Sequence, residues 1–120
     1  MQKVWIGLGG LAGLTAVGMA ALAAHGLEAI GAERLQIVRN GVQMQGWHAL
    51  ALLACGLWRP QGGRLADWAG GSFVVGLLLF CGAVYAVALG GVHSGALAPI
   101  GGTLLMVGWA LLGMSALRRR

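Results

Sequence analysis

The stretch GVQMQGWHALALLACGLW, Gly41 to Trp58, decides how this chain is read. It is mostly apolar and close to the ~20 residues that a helix needs to cross a hydrocarbon core. Its first half nevertheless carries Gln43, Gln45 and His48. Amide and imidazole groups are costly against lipid tails, so they are expected to face other protein segments. The fold then follows if the rest of the chain supplies helices to surround this one.

Composition agrees. The 120 residues are 58% hydrophobic and 9% charged, against roughly 25% charged in soluble domains. So few charges cannot cover a globule with polar surface, and the lipid bilayer is the expected solvent. The net charge is +5, yet nucleic acid is not the expected partner. The basic residues flank apolar runs and end in Arg118, Arg119 and Arg120, as membrane-edge anchors do. The 23 glycines suit close helix packing in lipid. Cys55 and Cys81 form no CxxC pair and sit in apolar runs, so they read as small buried hydrophobes.

Working outward, four spans are expected, at residues 4–24, 40–58, 69–89 and 97–117. The first apolar run carries Ala21-Leu22-Ala23, which imitates a signal cleavage site. It exceeds the roughly 7–15 apolar residues of a signal peptide and is read as helix one. Gly9 and Gly13 form a GxxxG pair, and Ala16 and Ala20 continue the small face. His25 and Gly26 are expected to cap this helix, with Gly26 left-handed and His25 at the negative end of the dipole. Leu27 to Asn40 is the one long charged segment between spans. Leu27, Ile30, Leu35 and Val38 are expected to form the apolar stripe of a short interfacial helix.

Arg59-Pro60-Gln61-Gly62-Gly63-Arg64 is expected to stop helix two and reverse the chain, and Gly90 to Gly95 to form a second tight connection. Trp5, Trp58, Trp68 and the arginine tail would form a belt at one interface. Gly101-Gly102 marks a close helix crossing, and Pro99 suits the first turn of helix four. The predicted fold is therefore an all-α integral membrane four-helix bundle with a short interfacial helix between helices one and two. Lys3, Arg59, Arg64 and the arginine tail share one side, whereas Arg34 and Arg39 are offset by Glu28 and Glu33. The positive-inside rule then puts both termini in the cytoplasm.

At a rise of ~1.5 Å per residue from the cytoplasmic end, His48 lies ~15 Å deep, Gln45 ~20 Å, Thr103 ~21 Å and Tyr85 ~24 Å. These four are expected to form a polar cluster in the outer half of the bundle. His25 lies ~30 Å deep, too far from His48 for both to ligate one ion, so no haem or metal is expected. No nucleophile–base pair, P-loop, zinc motif or intramembrane carboxylate pair is visible, and no enzyme activity is expected.

AAHGL at Ala23–Leu27, QxxHALALL at Gln45–Leu53, LFxGxxY at Leu79–Tyr85, PIGG at Pro99–Gly102 and the later Gly108-Trp109 resemble the YgdD-like family. These are small four-helix membrane proteins of unknown function, with a similar transmembrane protein in animals. The resemblance covers nearly the whole chain. It implies the bacterial inner membrane and matches the family's Gln, His and Tyr to Gln45, His48 and Tyr85. Departures are Met44 where Tyr is common, Gly46-Trp47 where an aromatic or Met run is common, and Cys81 where Ser is common. Two functions are expected to compete. One is an accessory subunit packed in a larger membrane assembly or in a homo-oligomer. The other handles a quinone, another small molecule or protons through the Gln/His/Tyr cluster.

Overall fold

A computed structural model describes residues 1–91 and 96–117. The elements are α1 (Gln2–His25), a 3₁₀ turn (Glu28–Ile30), α2 (Ala32–Gly90) and α3 (Leu97–Leu117). Three helices are found where four are expected. The difference lies in α2, which is helical for 59 residues with one interruption, Gly63 at φ 62 and ψ −142. A straight helix of that length would run ~88 Å, but the largest extent of the molecule is 53 Å. The chain doubles back at Gly63, so that Tyr85 reaches Gln45 and the Cys81 thiol approaches the Gly41 carbonyl at 3.6 Å. We call residues 32–62 the first arm and 64–90 the second.

The expected stop at Pro60 is not seen, and Pro60 lies inside the helix. Its ring removes only the bond to the carbonyl of Gly56, one turn from the arm's end, where little helix remains to be lost. Gly63 makes the reversal instead, because its backbone angles lie where only glycine is comfortable. Gly63→Ala is expected to cost about 2 kcal/mol, read as the unfolding midpoint in an SDS titration. Gly13→Ala is the control, since its added methyl would meet only Ala49 Cβ, at 3.8 Å, and it should hold or raise stability.

The expected interfacial helix is absent as a separate element. Beyond the short 3₁₀ turn the chain breaks at Gly31, φ 93, and Ala32 to Asn40 are simply the opening turns of α2. Nothing at Asn40-Gly41 interrupts the helix there, and Gly41 is kept small by the Tyr85 ring. The apolar stripe faces protein: Val38 is fully buried with Ala23 and Ala88, and Leu27, Ile30 and Leu35 pack around them. The cap of α1 also differs from expectation. Gly26 sits at φ −128, not left-handed, and its N–H bonds the Leu22 carbonyl at 2.7 Å. That bond closes the last turn without the reversal that a left-handed residue would impose. His25 is the exposed last residue of α1. The expected connection at Val92–Gly95 and the arginine tail lie outside the described residues.

The core is a close meeting of backbones. Gly9 is buried against the first arm, where a methyl would lie 2.9 Å from the Ala49 carbonyl. Gly13 is looser, at 3.8 Å from Ala49 Cβ. Ala16 is buried, whereas Ala20 is exposed and takes no part in the expected small face. Gly101 of α3 is buried against Gly76 and Phe80 of the second arm. Gly102 makes only ordinary contact there, its methyl position 3.8 Å from the Phe80 ring. Phe73, Leu52, Leu105, Val38 and Cys55 are the largest fully enclosed side chains.

Candidate functional site

Gln45 sits midway along the first arm, 7% exposed, at the level where α1 and the second arm both come near. Its amide nitrogen donates to the Ala12 carbonyl at 3.0 Å and to Thr15 Oγ1 at 2.6 Å. The Ala12 carbonyl can only accept, which fixes the orientation of the amide. Gln45 Oε1 then accepts from the Tyr85 hydroxyl at 2.8 Å. One side chain therefore ties three segments together. The Thr15 hydroxyl donates back to its own helix, with the Leu11 carbonyl at 3.0 Å and the Ala12 carbonyl at 3.2 Å.

His48 is also buried, at 2% exposure, but belongs to a different group. Its Nδ1 lies 2.6 Å from the Met44 carbonyl, and its Nε2 lies 3.0 Å from Trp109 Nε1 of α3. The carbonyl can only accept and the indole can only donate, so Nδ1 carries the proton and the ring is neutral. His48, Phe73 and Trp109 stack edge to face, with centroids 5.3–5.8 Å apart. Both ring nitrogens are used, Nδ1 as donor and Nε2 as acceptor. Trp109→Phe is expected to cost about 1 kcal/mol, seen as a lower unfolding midpoint, since it leaves Nε2 without a donor.

The four residues expected to cluster thus separate. Gln45 and Tyr85 meet directly. His48 turns toward α3, because three residues along a helix rotate a side chain by about 60° from its neighbour's direction. Thr103 is exposed and bonds the Pro99 carbonyl of its own helix at 2.8 Å. Thr15 takes the expected place of Thr103. Its depth from Gln2, ~20 Å, equals that of Gln45, and that coincidence is present in the sequence.

A second polar group closes the end near Gly63. Trp5 Nε1 donates to Asp67 Oδ1 at 2.8 Å, and Arg59 Nε to Asp67 Oδ2 at 2.9 Å. Trp58 Nε1 donates to Ser115 Oγ at 2.9 Å. The expected aromatic belt is therefore only partly external. Trp68 is 68% exposed, but Trp5 is 5% exposed and lies against Gly70. The indoles of Trp5 and Trp58 turn inward because their N–H groups find acceptors there.

Between α1 and the second arm lies a cavity of about 480 Å³, floored by Gln45 and Leu52 of the first arm. Its walls are apolar except for Thr15, Gln45 and Tyr85, which gather at one level. Cys81 lines it and, like Cys55, is a free buried thiol. No group of three His, Cys, Asp or Glu near enough to hold a metal occurs among the described residues.

Helices α1, α2 and α3 are each long and apolar enough to cross a membrane, so the fold defines a multi-pass α-helical membrane protein. The family model described as "Protein of unknown function (DUF423)" matches residues 19–102. A UPF0382 membrane protein of Staphylococcus saprophyticus is 38% identical over 113 residues, 92% of this chain and 94% of that one. A second, from Staphylococcus epidermidis, is 37% identical over 119 residues, 98% of both chains. The UPF0382 inner membrane protein YgdD of Escherichia coli is 34% identical over 92 residues, 73% of this chain and 69% of that one. The chain belongs to this DUF423 family of membrane proteins, the YgdD-like family. No solved structure matches it.

Proposed function

We propose that this chain is an inner-membrane packing protein, which associates through its outer helix faces with a second copy or a larger membrane assembly. The observation that carries this reading is a set of helical glycines that the single chain does not use. At Gly7, Gly10 and Gly18 of α1, Gly46 and Gly71 of α2 and Gly113 of α3, an added methyl would meet nothing within 4 Å. Each costs about 1 kcal/mol of helix stability relative to alanine. In lipid, such positions are recovered by the close approach of another helix. No catalytic chemistry and no cofactor enters this reading.

The same proposal takes each arm of α2 as its own crossing, which makes four. The arms are ~46 Å and ~40 Å long, each enough to span ~30 Å of hydrocarbon. Trp5, Asp67 and Arg59 hold the start of α1 to the reversal at Gly63, and Trp58 holds the end of α3 beside them. Lys3, Arg59 and Arg64 therefore belong to one end, which the positive-inside rule assigns to the cytoplasm. Reporter fusions at the two termini should both read cytoplasmic.

Native mass measurement after extraction in gentle detergent tests the association. A homo-oligomer or a stoichiometric partner is expected, lost in Gly10→Leu without a fall in the unfolding midpoint of the single chain. A monomer with no partner would contradict it. The cavity favours a second reading, in which the bundle holds an apolar small molecule.

A further inference from the structure

We infer that the groove between α1 and the second arm binds an elongated lipophile with a hydroxyl at one end, its O–H donated to Tyr85 Oη, Gln45 Oε1 or Thr15 Oγ1. This rests on the second reading above and names the ligand class. The groove runs from Leu8 to Met19 on one wall and from Val74 to Tyr85 on the other, each ~16 Å of helix. Its volume of about 480 Å³ lies in the range of small-molecule pockets. A single flexible alkyl chain matches that length and volume.

The hydrogen-bond inventory selects the head group. Both amide hydrogens of Gln45 are spent, on Ala12 and Thr15. The Tyr85 hydrogen is spent on Gln45, and the Thr15 hydrogen on its own helix. What remains are acceptor lone pairs, on Tyr85 Oη, Gln45 Oε1 and Thr15 Oγ1. A ketone, quinone or ester head brings only acceptors and meets no free donor. An alcohol or hydroquinone head brings the missing hydrogen. The apolar tail then follows Leu8, Leu11 and Val74 away from the polar level.

The test uses the full chain in detergent micelles, titrated with 1-dodecanol, dodecyl methyl ether and 2-dodecanone, with occupancy read by native mass spectrometry. The alcohol should be held about tenfold more tightly than either of the others, about 1.4 kcal/mol. Gly82→Phe should abolish retention of the alcohol, because Gly82 lines the groove and its side-chain position is open. Leu11→Trp fills the groove from the opposite wall and serves if Gly82→Phe fails to fold. Equal retention of the three probes, or preference for the ketone, overturns the hydroxyl assignment while leaving an apolar site. Absence of retention by the unaltered chain, or retention that neither variant reduces, overturns the ligand reading itself.

Discussion

Gly101→Val is expected to cost about 4 kcal/mol and to detach α3 from the second arm, seen as a collapse of the unfolding midpoint in SDS. A side chain here has nowhere to go. Its Cβ would stand 2.5 Å from Phe80 N, 2.9 Å from Phe80 Cα and 2.8 Å from the Gly76 carbonyl. All three obstacles are backbone atoms, so no rotamer change relieves the overlap, and the helices must separate. Overpacking by movable side chains costs ~1–3 kcal/mol, and a backbone obstacle belongs at the top of that range or above it. Separation also strains the bond from Ser72 Oγ to the Leu104 carbonyl, 2.5 Å, one turn further along the same contact. Gly102→Ala, one residue away, should be neutral or slightly stabilising, since its methyl would lie 3.8 Å from the Phe80 ring. Equal effects at the two positions would show that α3 does not cross the second arm here.

Asp67→Ala is expected to cost about 3 kcal/mol. The carboxylate serves two donors from two other segments, the Trp5 indole and the Arg59 guanidinium. Removing it leaves a buried N–H without an acceptor and a cation without its partner. Asp67→Asn should recover most of the loss, because its amide oxygen still accepts from Trp5. The residual deficit of about 1 kcal/mol is the ion pair, which is partly exposed and so worth little. Equal loss from Ala and Asn would mean that the charge, not the indole bond, holds this end together.

Membrane residence and the Gln45–Tyr85 pairing are legible because each follows from one dimension of the chain. Apolar run length and the near absence of charge within runs report the solvent. Depth along a helix reports which residues share a layer. The direction a side chain takes around its helix is a second dimension, and the depths of Gln45 and His48 say nothing of it. Depth and the i, i+3 spacing both group His48 with Gln45, yet the ~60° between them is enough for His48 to meet Trp109 while Gln45 meets Tyr85. Thr15 escapes notice for another reason, since a lone hydroxyl on a helix can satisfy itself on its own backbone. Pro60 misleads because a proline removes one bond wherever it stands. Whether the helix ends there depends on how much helix remains, and Gly63 three residues later makes the sharper break. The inward turn of Trp5 is hidden because Asp67, 62 residues away, supplies its acceptor.

The reversal at Gly63 uses one residue and no loop, which bears on how the chain is made. Two arms joined without slack have no tether long enough for one to settle in the bilayer while the other waits outside. On the four-crossing reading proposed above, they would insert as a preformed hairpin, with Arg59 and Arg64 beside the bend left behind on the side of synthesis. Lengthening the bend with a flexible insert would let the arms go in one after the other, and the biogenesis of the protein should slow before its finished stability falls.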